Sequence, residues 1–208
     1  MRKIIFLLGL LLIASCSPKI FKEKWTQEKA PEYFKARFET TQGNFDIEAK
    51  REWSPNGVDR LYQLIKHDFY TDIALYRVLP KFVVQFGIHN DSLLNNRWSD
   101  VKLKDESVIK SNDSMTISFA RGGKESRTTQ IFINMKNNPR LDKLDYGGVK
   151  GFPVIATIIN GMETVQKFYA NYGPKPAKEQ GQIYTKGNTY LKEKYPKLDY
   201  ITKAYIIK

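Results

Sequence analysis

Arg77 and Gln85 bring a cation and a carboxamide into a mostly apolar run, residues 75–87, whose sequence is LYRVLPKFVVQFG. A guanidinium remains charged and presents its N–H donors in a rigid fork, so it can act by charge and hydrogen bonding without a proton transfer or a covalent step. Two interpretations of Arg77 are open. Its side chain could alternate outward from a half-buried strand, with the stem covering apolar neighbours, or it could face a binding site. The local pattern alone favours the first interpretation.

Other residue types that carry catalysis are sparse in this sequence. His67 and His89 are its two histidines, and no nucleophile-elbow motif lies near either of them. With a single cysteine, they also lack the ligand spacing of a metal site. Gly122 and Gly123 are not followed by the Gly-Lys-Ser/Thr pattern of a phosphate-binding loop. The sequence therefore argues against a hydrolase, and we expect neither a metal ion nor a cofactor.

The N-terminal residues are typical of an export signal. Basic residues follow Met1, and the apolar run over residues 4–13 has about half of the roughly 20 residues that a membrane span needs. Residues 13–16, IASC, resemble the lipobox of bacterial lipoproteins, whose cysteine receives a diacylglycerol thioether. We predict a lipoprotein signal peptide over residues 1–15, lipidation of Cys16, and a charged tether over residues 16–35. The protein would then be lipid-anchored in the cell envelope, on the periplasmic side of a bacterial membrane; the alternative is an incidental cysteine in a signal peptide.

Composition predicts one globular domain with a basic surface. The chain has 208 residues, of which 41% are hydrophobic, and no internal repeat is visible. The formal net charge of +12 becomes +10 when Arg2 and Lys3 leave with the signal. The lysines are spread along the chain without a dense cluster, which favours a solvated surface attracted to anionic lipid or envelope polymer. We do not expect nucleic acid as a partner.

Short elements must position Arg77 and its surroundings. Alternating apolar residues on both sides of Gln42-Gly43 predict a β-hairpin, with order beginning near Ala36. Ser54-Pro55, an N-cap residue and a proline at the first helical position, precedes apolar residues at helical spacing and predicts a helix to about His67. Further strands are predicted over 73–79, 82–87, 115–120, 130–135, 154–159 and 201–207, further helices over 163–170 and 188–195, and a long surface loop over 171–187.

These elements predict a mostly β domain over residues 36–208. Many short strands with two helices between hairpins favour a closed antiparallel β-barrel capped by two helices, because alternating parallel βαβ units are absent. A C-terminal extension completes this domain.

Ordered motifs along the chain resemble those of one known family. The hairpin and the first helix are followed by Phe69-Tyr70 and by YRVLPKFVVQFG at residues 76–87; then come TISFA at 116–120, TQIFI at 129–133, Leu141-Asp142 and GMETV at 161–165. In this order they resemble the cyclophilin family of peptidyl-prolyl cis-trans isomerases, from about residue 37 to residue 167. The resemblance implies a cyclophilin-like barrel and an enzyme that rotates Xaa-Pro peptide bonds.

The resemblance also implies roles for individual residues. The catalytic residues would be Arg77 and Gln85, and the substrate-binding residues would be Phe82, Val83, Ala120, Arg121, Gln130, Phe132, Leu141 and Phe152. Arg77 would direct its donors at the prolyl nitrogen, while Gln85 and Gln130 would hold the substrate backbone or orient the arginine. Taken alone, Phe132 and Leu141 would be ordinary core residues, and Gln130 would be a polar residue at a sheet edge.

The sequence departs from the family pattern around the implied pocket. Arg140 stands where a tryptophan or another bulky group is frequent, Phe152 stands where His or Tyr is common, and Arg121 replaces a smaller polar residue. The loop over residues 142–151 is longer than the usual turn. Phe82 and Gln85 are three residues apart and cannot share a face of a straight strand, so we expect a bend near Pro80.

The resemblance and the export signal together imply a peptidyl-prolyl cis-trans isomerase, expected to be a monomer, that acts on exported, proline-containing polypeptides. Its partners would be these polypeptides and the membrane, the latter through the N-terminal lipid. The alternative is a catalytically weak, lipid-anchored module that binds peptides, because the departures around the pocket alter its shape.

Overall fold

A computed structural model describes residues 20–207 of the chain. The predicted signal peptide and Cys16 lie outside the described residues. Within the described part, none of the helices combines the length and the apolar composition that crossing a membrane requires.

Within residues 20–207, nine strands form one antiparallel sheet with the order β3-β9-β1-β2-β8-β6-β7-β5-β4. Its strands are β1 Tyr33–Thr40, β2 Gly43–Lys50, β3 Ile73–Ala74, β4 Arg77–Val78, β5 Val83–Phe86, β6 Thr116–Phe119, β7 Ile131–Asn134, β8 Val154–Asn160 and β9 Tyr200–Ile207. The predicted hairpin is confirmed: β1 pairs with β2 across a turn in which Gly43 has a φ of 122°. Glycine adopts such a positive φ without steric cost.

The sheet is curled but not closed, so the predicted closed barrel is wrong. Its edge strands are β3 and β4, and within residues 20–207 no ladder joins them. The two edge strands are separated in sequence by Leu75 and Tyr76 alone, so one short segment carries the chain from one edge of the sheet to the other. Each edge strand has two residues and pairs on one side, β3 with β9 and β4 with β5.

In the described part of the chain, four α-helices accompany the sheet: α1 Pro55–Lys66, α2 Ser92–Asp100, α3 Met162–Gln166 and α4 Gln180–Lys194. The predicted helix α1 is confirmed and buries Val58, Leu61 and Leu64 against the core. The side chain of Ser54 does not cap α1; the carboxylate of Glu106 instead accepts from the backbone N–H of Asn56 at 2.7 Å. A carboxylate at this end also complements the helix dipole.

Several predicted boundaries are corrected by the structure. The single strand expected over residues 73–79 is two short strands, and the helix expected over 163–170 is the shorter α3. Helix α2 was not predicted. The part of α4 before Gly187 occupies the end of the region expected to be a surface loop over 171–187, whereas the part after Gly187, where the backbone is non-helical, confirms the helix predicted over 188–195. These two helices have weak amphipathic patterns in sequence, so tertiary contacts determine them.

The folded structure begins before the predicted Ala36. Strand β1 begins at Tyr33, and Glu23–Gln27 form a 3-10 helix whose Trp25 is buried. The Trp25 ring stacks on His67 with centroids 4.1 Å apart. Phe21 contacts Trp98 edge to face at 5.2 Å. This part of the predicted tether is therefore packed on the domain.

Candidate active site

Arg77 and Gln85 are neighbours across the β4–β5 hairpin. They are register partners, and Arg77 Nη1 donates to Gln85 Oε1 at 2.9 Å. The bend expected near Pro80 is the hairpin turn, in which the Phe82 N–H donates to the Leu79 carbonyl at 2.8 Å. Because Phe82 lies in this turn and not in the strand, it can face the same groove as Gln85 despite their three-residue spacing.

Gln130 is the centre of a hydrogen-bond network behind Arg77. Its Oε1 accepts from Gln85 Nε2 at 3.0 Å and from the hydroxyl of Tyr76. Burial raises the pKa of Tyr76 well above its ordinary value, so this hydroxyl stays protonated as a donor. Gln130 Nε2 donates to Gln180 Oε1 at 3.0 Å and to Tyr184 Oη at 2.9 Å. The network fixes the carboxamide of Gln85 and through it the guanidinium of Arg77.

An apolar floor lies beside this network. Val83, Phe132, Leu141 and Phe152 form a buried cluster, with Phe82 and Ala120 packed at its edge. The rings of Phe132 and Phe152 meet edge to face at 5.8 Å. Above this floor is a groove of about 490 Å³. Its lining includes all ten residues predicted from the sequence: Arg77, Phe82, Val83, Gln85, Ala120, Arg121, Gln130, Phe132, Leu141 and Phe152.

The guanidinium of Arg77 lies in the groove, where the described part of the chain provides no counterion. Among residues 20–207 no carboxylate forms an ion pair with it, and its hydrogen bond to Gln85 leaves other N–H donors unoccupied. Its Cζ lies 5.6 Å from the centre of the Phe82 ring, and the Cζ of Arg140 lies 5.2 Å from the same ring. A half-buried cation beside an apolar floor can therefore direct free donors at a bound group.

Comparison with known families identifies this arrangement. The sequence model of the family described as "Cyclophilin type peptidyl-prolyl cis-trans isomerase/CLD" matches residues 35–186. The chain belongs to this cyclophilin family. The match covers the whole of the groove that contains Arg77, so the family resemblance of the motifs is confirmed.

Curated relatives carry the same family name. Peptidyl-prolyl cis-trans isomerase A of Dickeya dadantii is 30% identical over 132 residues, which are 62% of this chain and 67% of that protein. A peptidyl-prolyl cis-trans isomerase of Acinetobacter baylyi is 27% identical over 62% of this chain and 68% of its own length. The chain matches 24% of the length of the peptidyl-prolyl cis-trans isomerase-like 2 of Aspergillus oryzae, at 28% identity.

Solved cyclophilin structures share the fold. A cyclophilin type peptidyl-prolyl cis-trans isomerase of Cryptosporidium parvum has a TM-score of 0.56 and 17% sequence identity, over 85% of this chain and 98% of that one. A second structure of that protein, described as in the presence of the dipeptide Ala-Pro, has a TM-score of 0.55, over 84% of this chain and 99% of that one. This likeness supports the cyclophilin fold.

Arg121 lies in the groove wall of this cyclophilin with its charge turned inward. Its side chain has no exposed surface, and its Nη2 donates to the carbonyls of Val149, at 3.1 Å, and Gly151. Asp105 lies 3.4 Å from Nη1, and the guanidinium lies over the Phe152 ring at 4.8 Å. Burial lowers the pKa of Arg121. The guanidinium of Arg121 therefore fixes the loop over residues 142–151. The family resemblance had instead implied that Arg121 binds the substrate.

That loop, residues 142–151, builds a groove wall that the sequence did not predict. The Tyr146 N–H donates to the Val149 carbonyl at 3.0 Å, and the backbones of Asp145 and Lys150 form an isolated antiparallel β-bridge. Leu144 and Tyr146 are exposed and line the groove. Groove residues that were not predicted from the sequence are Gly122, Ser126, Thr128, Leu144, Tyr146 and Gln180, whereas Arg140, expected near the pocket, also lines the groove. The unusual length of the loop was the available signal for two of them.

No group of three or more His, Cys, Asp or Glu side chains that could hold a metal ion occurs within residues 20–207. In that part of the chain the groove offers a guanidinium, carboxamides and an apolar floor. Such groups can change the energy of a bound peptide by hydrogen bonding and charge.

Proposed function

We propose that this chain is a peptidyl-prolyl cis-trans isomerase that uses Arg77 as its catalytic cation. The observation that carries the proposal is the guanidinium of Arg77, which has free donors and is held by Gln85 beside an apolar groove. The membership of the chain in the cyclophilin family and the names of its relatives support the isomerase activity. The Ala-Pro dipeptide named with the Cryptosporidium structure supports a proline-containing peptide as the ligand.

The chemistry requires a donor and not a nucleophile. A peptide bond rotates slowly because amide resonance must be broken, with a barrier of about 18–20 kcal/mol. In the twisted state the prolyl nitrogen keeps its lone pair and can accept a hydrogen bond. An N–H of Arg77 directed at this nitrogen would stabilise the twisted state more than either planar state, which is the condition for catalysis.

The groove can orient the peptide while one side of the bond turns. The proline ring fits the apolar floor of Phe82, Phe132 and Leu141, where burial of its apolar surface favours binding. A ring fixed in this way holds one side of the bond, so rotation occurs on the other side. No bond is formed or broken in the reaction.

The experiment compares wild type with Arg77→Ala in a protease-free assay that follows cis/trans relaxation of a proline peptide. We expect kcat/KM to fall by about 100-fold or more, the effect of removing one preorganised donor to a transition state. The free energy of unfolding should fall by about 1 kcal/mol or less, because one half-buried hydrogen bond is lost. Arg140→Ala is the matched control, since it removes a guanidinium from the same Phe82 ring. Equal rates for wild type and Arg77→Ala would refute the role of Arg77.

A peptide-binding module without catalysis is the second candidate function. The features that favour it are the long loop over residues 142–151 and the cations Arg121 and Arg140, which reshape the groove. Measurements on one sample of the wild-type protein decide between the isomerase and the binding module. Peptide binding by fluorescence anisotropy, with relaxation at the uncatalysed rate, would leave the binding role alone.

We further propose that the clients are exported proteins and that the enzyme acts as a lipid-anchored monomer on the periplasmic side of a bacterial membrane. The support is the apolar run over residues 4–13 followed by Ser15 and Cys16. Intact mass of the membrane-extracted protein should show a diacylglycerol-modified Cys16 as the first residue, and Cys16→Ala should remove the modification. A mature chain that still begins at Met1 would refute the anchor without affecting the isomerase proposal.

A further inference from the structure

Gln130 has no hydrogen-bonding capacity left for a substrate. A carboxamide offers two N–H donors and two acceptor sites on its oxygen. Both N–H groups of Gln130 have partners in α4, Gln180 and Tyr184, and its oxygen accepts from Tyr76 and Gln85. The family resemblance implied that Gln130 either holds the substrate backbone or orients the arginine, and its bond to Gln85, the partner of Arg77, agrees with the second role. In this structure the protein itself occupies all of its hydrogen-bonding positions.

Gln180 is the carboxamide that still has a free donor in the groove. It lies at the first position of α4 and lines the same groove as Arg77. Its Oε1 accepts from Gln130 Nε2 at 3.0 Å, and one N–H of its Nε2 donates to the Ala177 carbonyl at 3.2 Å. Within residues 20–207, no group accepts from the second N–H.

Helix α4 holds Gln180 in this place by contacts at several positions. The carboxylate of the preceding residue, Glu179, accepts from Lys194 Nζ at 2.8 Å and from Tyr195 Oη at 2.9 Å. Ile183 packs in a buried cluster that also contains Tyr76. Asn188 Nδ2 donates to the Asp72 carbonyl at 2.8 Å. A carboxamide fixed in this way loses little conformational freedom when a substrate binds.

We propose that Gln180 is a substrate-positioning residue of the isomerase site. Its free N–H donates to a backbone carbonyl of the bound peptide, the contact that Gln130 cannot make. The inference rests on the proposed function for its substrate, a proline-containing peptide. With this contact, helix α4, which lies between α3 and β9 in the sequence, contributes directly to substrate binding.

Two substitutions at Gln180 separate a direct contact from an indirect one. Gln180→Ala removes both the acceptor for Gln130 and the free donor. Gln180→Glu keeps an acceptor for Gln130 but has no N–H, so it should retain wild-type behaviour if Gln180 acts only through Gln130. Gln182→Ala is the matched control, because Gln182 is an exposed residue of the same type on the same helix.

The measurements are the Kd of an Xaa-Pro peptide by fluorescence anisotropy, kcat and KM by cis/trans relaxation, and the melting temperature. For Gln180→Ala we expect Kd and KM to rise about fivefold, the effect of one hydrogen bond between neutral groups, with kcat changed less than twofold. Gln180→Glu should weaken binding at least as much, and Gln182→Ala should match wild type. The melting temperatures of all variants should lie within about 2 °C of wild type, since both side chains are near the surface.

The outcomes distinguish this inference from the proposed function. Wild-type Kd for Gln180→Ala, or wild-type Kd for Gln180→Glu, would overturn the contact with the peptide. A wild-type protein that binds the peptide without catalysis would refute the isomerase, while the ratio of Kd values would still decide the role of Gln180. A wild-type protein that binds no proline peptide would overturn both.

Discussion

Replacing the buried Arg121 by leucine tests whether this residue serves the groove by fixing its wall. The substitution removes the donor to the Val149 and Gly151 carbonyls and the partner of Asp105. A hydrogen bond to a charged group contributes about 1.5–3 kcal/mol. Two such bonds correspond to about 3–6 kcal/mol, which is reduced because the wild-type guanidinium is desolvated and its Nε has no partner in the described structure. We expect a net loss of about 3 kcal/mol.

Urea denaturation followed by tryptophan fluorescence measures this loss, and thermal denaturation should show a melting temperature about 6–12 °C lower for a chain of this size. Arg140→Leu is the control, because it makes the same change at an exposed arginine over a phenylalanine ring and should cost about 0.5 kcal/mol or less. Peptide KM should also rise for Arg121→Leu, since Leu144 and Tyr146 lose their fixed positions. An Arg121→Leu variant as stable as Arg140→Leu would refute the assignment of a structural role.

Two further substitutions test the fold and its pH dependence. Glu106→Gln should lower the free energy of unfolding by about 2–4 kcal/mol, because the Glu106 carboxylate accepts from backbone N–H groups of α1 and from the buried Arg127 at 3.1 Å. Urea titration measures this loss, and an unchanged midpoint would contradict the role of Glu106. Burial lowers the pKa of His89, whose Nδ1 accepts the Asp91 N–H at 2.9 Å. The folded state therefore favours the neutral ring, so the contribution of His89 to stability should be constant above pH 6.5 and fall as the pH drops from 6.5 toward the lower folded pKa. His89→Gln should flatten the urea midpoint between pH 7 and pH 5, and an equally steep decline in that variant would count against His89.

The parts of the fold that the sequence predicted are those encoded by neighbouring residues. Strands β1 and β2 alternate apolar and polar residues around Gln42-Gly43, and α1 has Pro55 at its start and an apolar stripe, so local patterns determined both. The prediction of a closed barrel was wrong, because closure depends on contacts between the sheet edges that no local pattern encodes. The part of α4 before Gly187 was missed because it contains Gly181, and glycine disfavours helix in isolation. Gly187 itself has a non-helical φ of 59°, and the part after it corresponds to the helix predicted over 188–195.

The groove shows the same division between local and tertiary information. The ten predicted residues lie together because ordered motifs carried the family resemblance. The orientation of Arg121 could not be predicted, since a strand-end arginine is ordinarily solvated and here the carbonyls of a distant loop accept from it. Gln180 lies 50 residues from Gln130, and nothing in its local sequence indicates that the two side chains bond.

If Cys16 is lipidated as proposed, the docking of Phe21 and Trp25 onto the domain would limit how the groove can move relative to a bilayer. If Cys16 bears acyl chains, four residue steps separate it from Ile20, where the described structure begins. An extended chain spans at most about 3.5 Å per residue, so these steps reach roughly 14 Å. The domain would stand close against the lipid headgroups and could not swing out on a long arm. Polypeptides emerging near that surface would be within reach, and those far from it would have to diffuse in.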